Sequence, residues 1–146
     1  MRPEWVVDAS VGIKLFVDEE LSEEATILFD GLLQEPPVHL YIPDLFYPEC
    51  ANILWKYVRR YNFSADEARD SIRTLLSLSL RPISSSLFLS DALNLALDRE
   101  VSAYDACYVA LADNLGIPLV TADNKLVRKL DGCGVDVHWL GEPGLI

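Results

Sequence analysis

The chain has 146 residues, 51% hydrophobic and 24% charged, with 23 acidic against 12 basic side chains and a net charge of −11. That length fits one domain spanning 1–146 with a core large enough to need no staples, and the composition is that of a soluble globular protein. The acidic balance argues against broad electrostatic capture of nucleic acid, and suits a cation, a basic partner or plain solubility.

Other classes are excluded by what the residues lack. No apolar run approaches 18 residues, so no membrane span is expected. The opening MRPEWVVDAS reaches an aspartate at position 8 without the apolar region of a secretory signal. Cys50, Cys107 and Cys133 are widely spaced with no CxxC pair, which reads as small buried thiols of a cytoplasmic protein. Only two histidines are present, His39 and His138, which argues against a histidine zinc site and a Ser-His-Asp triad.

Taken in order, Trp5-Val6-Val7 predicts a first strand ending at Asp8. Ser10 is placed to cap a short helix over 11–16. Ser22 opens a second helix with Glu23 and Glu24 in its first turn, where the helix dipole favours acids. Ala25, Leu28 and Leu32 form one apolar face of it, and Ile27, Phe29 and Leu33 much of a second. After Pro36-Pro37, residues 38–42 predict a strand. Pro48 suits the first position of a helix running to about Tyr61, with Glu49 near its start and Ile53, Leu54, Tyr57 and Val58 facing the core.

Ser64-Ala65-Asp66-Glu67 is a capping box opening a further helix. Residues 80–83, interrupted by Pro82, form a short strand, and Ser90-Asp91 begins a helix to about Arg99. The segment SAYDACYVALADNLGIPLVTAD, from Ser102 to Asp123, then organises the rest. Ser102 caps a helix over 103–115 with almost no polar face, and Gly116 ends it. Residues 118–121 are a buried strand ending at Asp123. A short helix to Leu130, a strand over 135–140 and a loose Gly-Glu-Pro-Gly tail complete the chain. Strands alternating with helices predict a three-layer α/β/α fold around a mostly parallel sheet of 4–5 strands.

Ligands of open parallel sheets sit beyond the carboxyl ends of the strands. Asp8 and Asp123 each follow a strand end, while Glu49 and Asp105 occupy first turns of helices that can be aimed at the same edge. Four acids converging there repel one another unless a cation neutralises them, and oxygen-only ligation suits Mg²⁺ or Mn²⁺. Each acid also has a purely structural reading. Asp105 completes a Ser-x-x-Asp capping box, Glu49 suits the helix dipole, and Asp8 and Asp123 suit N-caps. Near them, Ser10 and Thr121 are candidate hydrogen-bond supports. Asn52 either orients Glu49 or packs on its helix, and Asn124 is either a supporting ligand or a turn residue.

The set VVDAS with Asp8, PECANIL with Glu49, and Ser102–Asp123 with Asp105 and Asp123 resembles the PIN domain family. Within it the chain is most similar to the small VapC-type toxins of prokaryotic toxin–antitoxin pairs. The resemblance covers nearly the whole chain and is carried most by 105–123 and least by 63–99. It implies a PIN-like fold and a cytoplasmic endoribonuclease, the toxin of a type II pair. It also implies Mg²⁺ or Mn²⁺ held by Asp8, Glu49, Asp105 and Asp123. RNA is the implied substrate, a cognate antitoxin the implied partner, and a homodimer the implied assembly. Many members carry a further acid shortly after the last one. Here Asn124 and Lys125 stand there, so one metal or two stays open.

Lys14, Lys56, Arg59, Arg60, Lys125, Arg128 and Lys129 are candidates for a basic rim that offsets the acidic charge, and Tyr61 and Trp139 for base stacking or packing. The helices beginning at Ser22 and near Glu49 carry apolar surface that suits a partner helix or the core. The alternative function is a PIN-like protein-binding module without catalysis. A phosphoacceptor domain wants an acidic pair after the first strand, and a phosphatase of the Asp-x-Asp type wants an acid where Ser10 stands.

Overall fold

A computed structural model describes residues 3–146. Met1 and Arg2, which open the segment read as lacking a secretory signal, lie outside the described residues. Strands β1 (Glu4–Val7), β2 (His39–Pro43), β3 (Arg81–Ile83), β4 (Leu119–Thr121) and β5 (Val137–Trp139) form one sheet in the order β3-β2-β1-β4-β5. Every pairing is parallel. Parallel neighbours need long crossovers, and the helices supply them: α1 (Ala9–Gly12), α2 (Ser22–Asp30), α3 (Phe46–Arg60), α4 (Ala65–Ser77), α5 (Leu89–Arg99), α6 (Ala103–Leu115) and α7 (Asn124–Lys129). The architecture is the expected three-layer α/β/α.

Successive strand residues point to opposite faces of a sheet. Trp5, Val6 and Val7 are nevertheless all 0% exposed, so both faces of the centre are covered. The edge strand β3 exposes Arg81 and Pro82, and a proline is tolerated there because an edge leaves its missing N–H unneeded. From β1 the chain winds outward through β2 and β3, then crosses back to β4 and β5 on the other side. The winding therefore reverses between β1 and β4, where Val7 pairs with Val120. Such a switch point opens a crevice at the carboxyl ends of the strands.

Helix α6 packs against α5 and against β1, β2 and β4. Its bounds match the expectation, because both of its ends are set locally. The Ser102 hydroxyl accepts the Asp105 N–H at 3.0 Å, and Gly116 takes the left-handed conformation at φ 67° that other residues adopt at a cost. All residues from Ala106 to Ala112 are buried.

Other elements depart from expectation. The helix predicted over 11–16 starts at Ala9 with Asp8 as its N-cap, and passes into a 3-10 turn at Ile13–Leu15. The cap is Asp8 because its carboxylate reaches the Val11 N–H, which leaves Ser10 free for another role. A side chain at Gly12 would lie 2.6 Å from the Phe46 ring, so α1 can press onto α3 only with glycine there. Helix α3 begins two residues before Pro48, whose missing N–H still falls in the first turn, where donors have no intrahelical acceptor.

On α2, Phe29 joins Ala25 and Leu28 in the core and Ile27 is exposed, as is Leu33 in the 3-10 turn Gly31–Leu33 that follows. β5 is shorter than predicted because β4, its only sheet neighbour, offers three residues. The tail expected to be loose folds back: Glu142 meets the His138 ring at 2.8 Å, and Leu145 and Ile146 pack against the core. Among the described residues no helix is long and apolar enough to cross a membrane.

Candidate functional site

The crevice between β1 and β4 leads to a small cavity of about 130 Å³ lined by Asp8, Ala9, Ser10, Glu49, Ile53, Asp105, Tyr108, Asp123 and Leu126. All four candidate acids thus reach one place from four separate segments. β1 and β4 deliver Asp8 and Asp123 at their carboxyl ends, and the first turns of α3 and α6 deliver Glu49 and Asp105. The structural readings hold as well. Asp8 caps α1, and Asp123 caps α7 through the N–H groups of Lys125 and Leu126 at 3.0 and 3.2 Å.

Asp8 is the most constrained of the four, 5% exposed and held from both sides. The Ser10 hydroxyl donates to its Oδ1 and the Thr121 hydroxyl to its Oδ2, each at 2.5 Å. Each hydroxyl in turn accepts a backbone N–H from the turn after β4: Ser10 from Ala122 at 3.0 Å, Thr121 from Asp123 at 3.1 Å. With both protons committed to the carboxylate, the 3.3 Å approach of the two hydroxyls carries no further bond of its own. These contacts tie the β1–α1 turn to the β4–α7 turn across the switch point.

The electrostatics follow from burial and from like charge. Burial pushes the Asp8 carboxyl up to about 6, despite the hydrogen bonds of Ser10, Thr121 and the Val11 N–H, and the charge of Asp105 adds to the rise. Burial raises Glu49, and Asp105 and Asp8 raise it further, while the hydrogen bond from Tyr108 opposes them. Burial and then Asp123 raise Asp105, against Ser102 and the ammonium of Lys129. Burial and the charge of Glu49 push the Tyr108 phenol far up, so it stays a proton donor. Three carboxylates carrying the mark of their neighbours' charge form one electrostatic unit.

The donor set fits a hard divalent cation: oxygen ligands, net negative charge and a void large enough for water. Among the described residues no three His, Cys, Asp or Glu side chains already form a group that could hold an ion directly.

Two of the candidate supports lie elsewhere. Asn52 is on the exposed side of α3, and Asn124 is the exposed first residue of α7, so neither lines the cavity. Glu49 is held instead by Tyr108, whose hydroxyl donates to its Oε1 at 2.8 Å. A tyrosine in a helix that is otherwise buried and apolar was the available signal, since a buried phenol needs a polar partner. Of the candidate rim cations, Lys129 acts on Asp105 and Lys14 is paired with Glu19 at 3.0 Å. Arg59 lies over the Trp55 ring at 6.0 Å. Tyr61 is 69% exposed beside Tyr57, whereas Trp139 is half-buried in β5.

Known proteins resemble the chain in sequence and fold. The model of the PIN domain family matches residues 5–131. Over 126 residues the chain is 40% identical to Ribonuclease VapC3 of Pyrobaculum aerophilum, covering 85% of this chain and 92% of that one. The crystal structure of PAE2754 from the same organism superposes with a TM-score of 0.69 at 27% identity, covering 94% of this chain and 83% of that one. A toxin–antitoxin complex from Klebsiella pneumoniae shares the fold, with a TM-score of 0.62 at 20% identity over 91% of this chain and 94% of that one.

Proposed function

The chain belongs to the PIN domain family, and from that premise we propose that it is an endoribonuclease, the toxin of a type II toxin–antitoxin pair, working with Mg²⁺ or Mn²⁺ held by Asp8, Glu49, Asp105 and Asp123. The observation that carries this reading is the convergence of those four acids, from four chain segments, on one cavity at the switch point of the sheet. A relative 40% identical over most of the chain is named a ribonuclease, which supports the RNA substrate. Residues 1–146 act as one domain, a reading supported by the single sheet and continuous core of the described residues.

When bound, the cation supplies a water of lowered pKa and positive charge for the phosphate under attack. The chain's own residues supply position. Ser10 and Thr121 orient the two oxygens of Asp8, and the backbone N–H groups of Lys125 and Leu126 orient Asp123. The cavity wall holds no His or Lys, so proton transfer within it falls to carboxylates. Lys125, Arg128 and Lys129, exposed on α7 next to Asp123, offset part of the acidic charge toward an RNA strand.

The partner reading rests on exposed apolar surface. Ile27 on α2, Leu33 in the 3-10 turn after it and Trp55 on α3 are 43%, 90% and 56% exposed, and an amphipathic antitoxin segment would cover them. The stripe Leu89, Leu93 and Leu97, exposed at one-turn spacing on α5, is the corresponding support for a homodimer. Three free cysteines suit a reducing cytoplasm.

The test is Mn²⁺-dependent cleavage of RNA by the purified protein. Asp8→Asn and Asp105→Asn lose cleavage and keep their circular dichroism. Full activity in either variant overturns the assignment, and calorimetry showing no Mn²⁺ binding to the wild type would favour a binding module without catalysis.

A further inference from the structure

Asp8, Asp105 and Asp123 each have at least one holder within three residues in sequence. Asp8 has Ser10 two residues on and the Thr121 hydroxyl across the sheet. Asp105 sits over the hydroxyl of its own N-cap, Ser102, and Asp123 is fixed by the N–H groups of the helix it caps. Glu49 differs. Its side chain is longer, with more rotamers to lose on being ordered, and it accepts a hydrogen bond from a residue 59 positions away.

That residue is Tyr108. Its ring is 1% exposed in the middle of the buried stretch from Ala106 to Ala112, where it is the only hydroxyl. A rigid, packed phenol is a well-fixed donor, with little freedom to follow a moving acceptor. It also lies three residues after Asp105, on the same face of α6. One helix therefore supplies Asp105 to the cavity and, a turn later, the group that aims Glu49 into it. Only Oε1 of Glu49 takes the bond at 2.8 Å, which leaves Oε2 for the cavity.

We infer that Tyr108 is a positioning residue that fixes Glu49 as a cation ligand, joining α3 to α6 across the site through its hydroxyl. The inference rests on the reading of the four acids as a cation site. Outer-shell partners of this kind typically set metal affinity over a 10- to 100-fold range, and the hydroxyl of Tyr108 does so here through Glu49 alone.

The experiment titrates Mn²⁺ alone into the purified full chain by calorimetry, for the wild type, Tyr108→Phe, Glu49→Ala and the double variant. Tyr108→Phe keeps the ring and its packing and removes one oxygen. It is expected to weaken Mn²⁺ binding by roughly 10-fold. In the Glu49→Ala background the same change is expected to have no further effect, because the group it acts through is gone. In RNA cleavage, Tyr108→Phe raises the Mn²⁺ concentration needed for half-maximal rate and leaves the rate at saturating Mn²⁺ close to wild type. Unchanged Mn²⁺ affinity in Tyr108→Phe overturns the inference while leaving the cation site standing, and so does an equal loss in the Glu49→Ala background. Absence of Mn²⁺ binding to the wild type overturns the cation reading and this inference with it.

Discussion

Two of the acid-lined hollows that border helix α6 differ in size, in burial and in how far their acids feel one another. Along its flank toward α5 lies a hollow of about 400 Å³ with Asp91, Asp98 and Asp113 on its wall, all exposed. At its N-terminal end lies the cavity of about 130 Å³ with Asp8, Glu49, Asp105 and Asp123. In the larger one the acids face water, which screens them from one another, and Asp98 also has its neighbour Arg99 at 3.6 Å. In the smaller one Asp8 is buried, Glu49 and Asp105 are half-buried, and each is raised by burial and by another acid's charge. Room and acid count do not mark a reaction site. Carboxylates held together against their own repulsion, by hydroxyls and helix ends, are what the proposed site has and the larger hollow lacks.

The sharpest way to break that contrast is to neutralise one acid of each hollow. Asp105→Asn is expected to lower RNA cleavage by about 100-fold or more, the scale on which removing one charge-stabilising group acts, while Asp113→Asn cleaves like the wild type. Equal losses in both would erase the distinction. The next effect is on thermal stability. A cation present at about 100 times its dissociation constant adds about 2.7 kcal/mol to a protein that binds it only when folded. Mg²⁺ or Mn²⁺ should therefore raise the melting temperature of the wild type, chelation should reverse the rise, and Asp105→Asn should show little of it. A shift of the same size in Asp105→Asn would place the ion elsewhere.

Asp8 connects stability to pH. Its folded-state value of about 6 lies above the ordinary 3.8, so the folded protein holds that proton more tightly than the unfolded chain. The favourable contribution is present at low pH and is lost as pH rises from about 4 through 6. Above 6 the buried charge is a standing cost of roughly 1–3 kcal/mol. Asp8→Asn is expected to be more stable than the wild type by about that amount at pH 7, in the absence of divalent ions, with the gap closing below pH 5. Urea denaturation at the two pH values decides it, and a variant less stable at pH 7 contradicts the account.

The smallest effect belongs to the far edge of the sheet. The His138 ring lies 2.8 Å from both Asp136 and Glu142, and although burial opposes it, those two carboxylates raise its pKa above 6.5. The stabilisation is complete below the ordinary value and disappears as pH rises through the raised one. His138→Gln should therefore melt below the wild type at pH 6 and converge with it at higher pH, a difference of up to about 1 kcal/mol. A gap that widens with pH would reverse the sign of this argument.

Much of this was legible in the residues, and the parts that were not share a cause. Helix α6 was placed to the residue because its cap, its apolar run and its glycine stop lie within a turn of what they control. The four acids were legible as a set because each follows a strand or opens a helix. The holder of Glu49 was not. Asn52, one turn along α3, was the local candidate, but α3 turns Asn52 to solvent and faces Glu49 toward α6. Ser10 was read both as a cap and as a hydrogen-bond support, and the structure keeps the second role. Its cap role goes to Asp8, while its hydroxyl donates to Asp8 and accepts the N–H of Ala122, 112 residues away.

The sequence by itself determined the order of strands and helices, the acidic residues at their ends and the family to which they point. The first two depend on hydrophobic period, caps and breakers, which act over a few residues, and the family rests on the resemblance of the motifs around Asp8, Glu49 and Ser102–Asp123. Only the tertiary structure decided that β1 and β4 are neighbours with the switch point between them. Only there do the acids share one small cavity, with a tyrosine of α6 reaching a glutamate of α3. Those outcomes depend on which apolar faces bury one another, a choice made by the whole core at once.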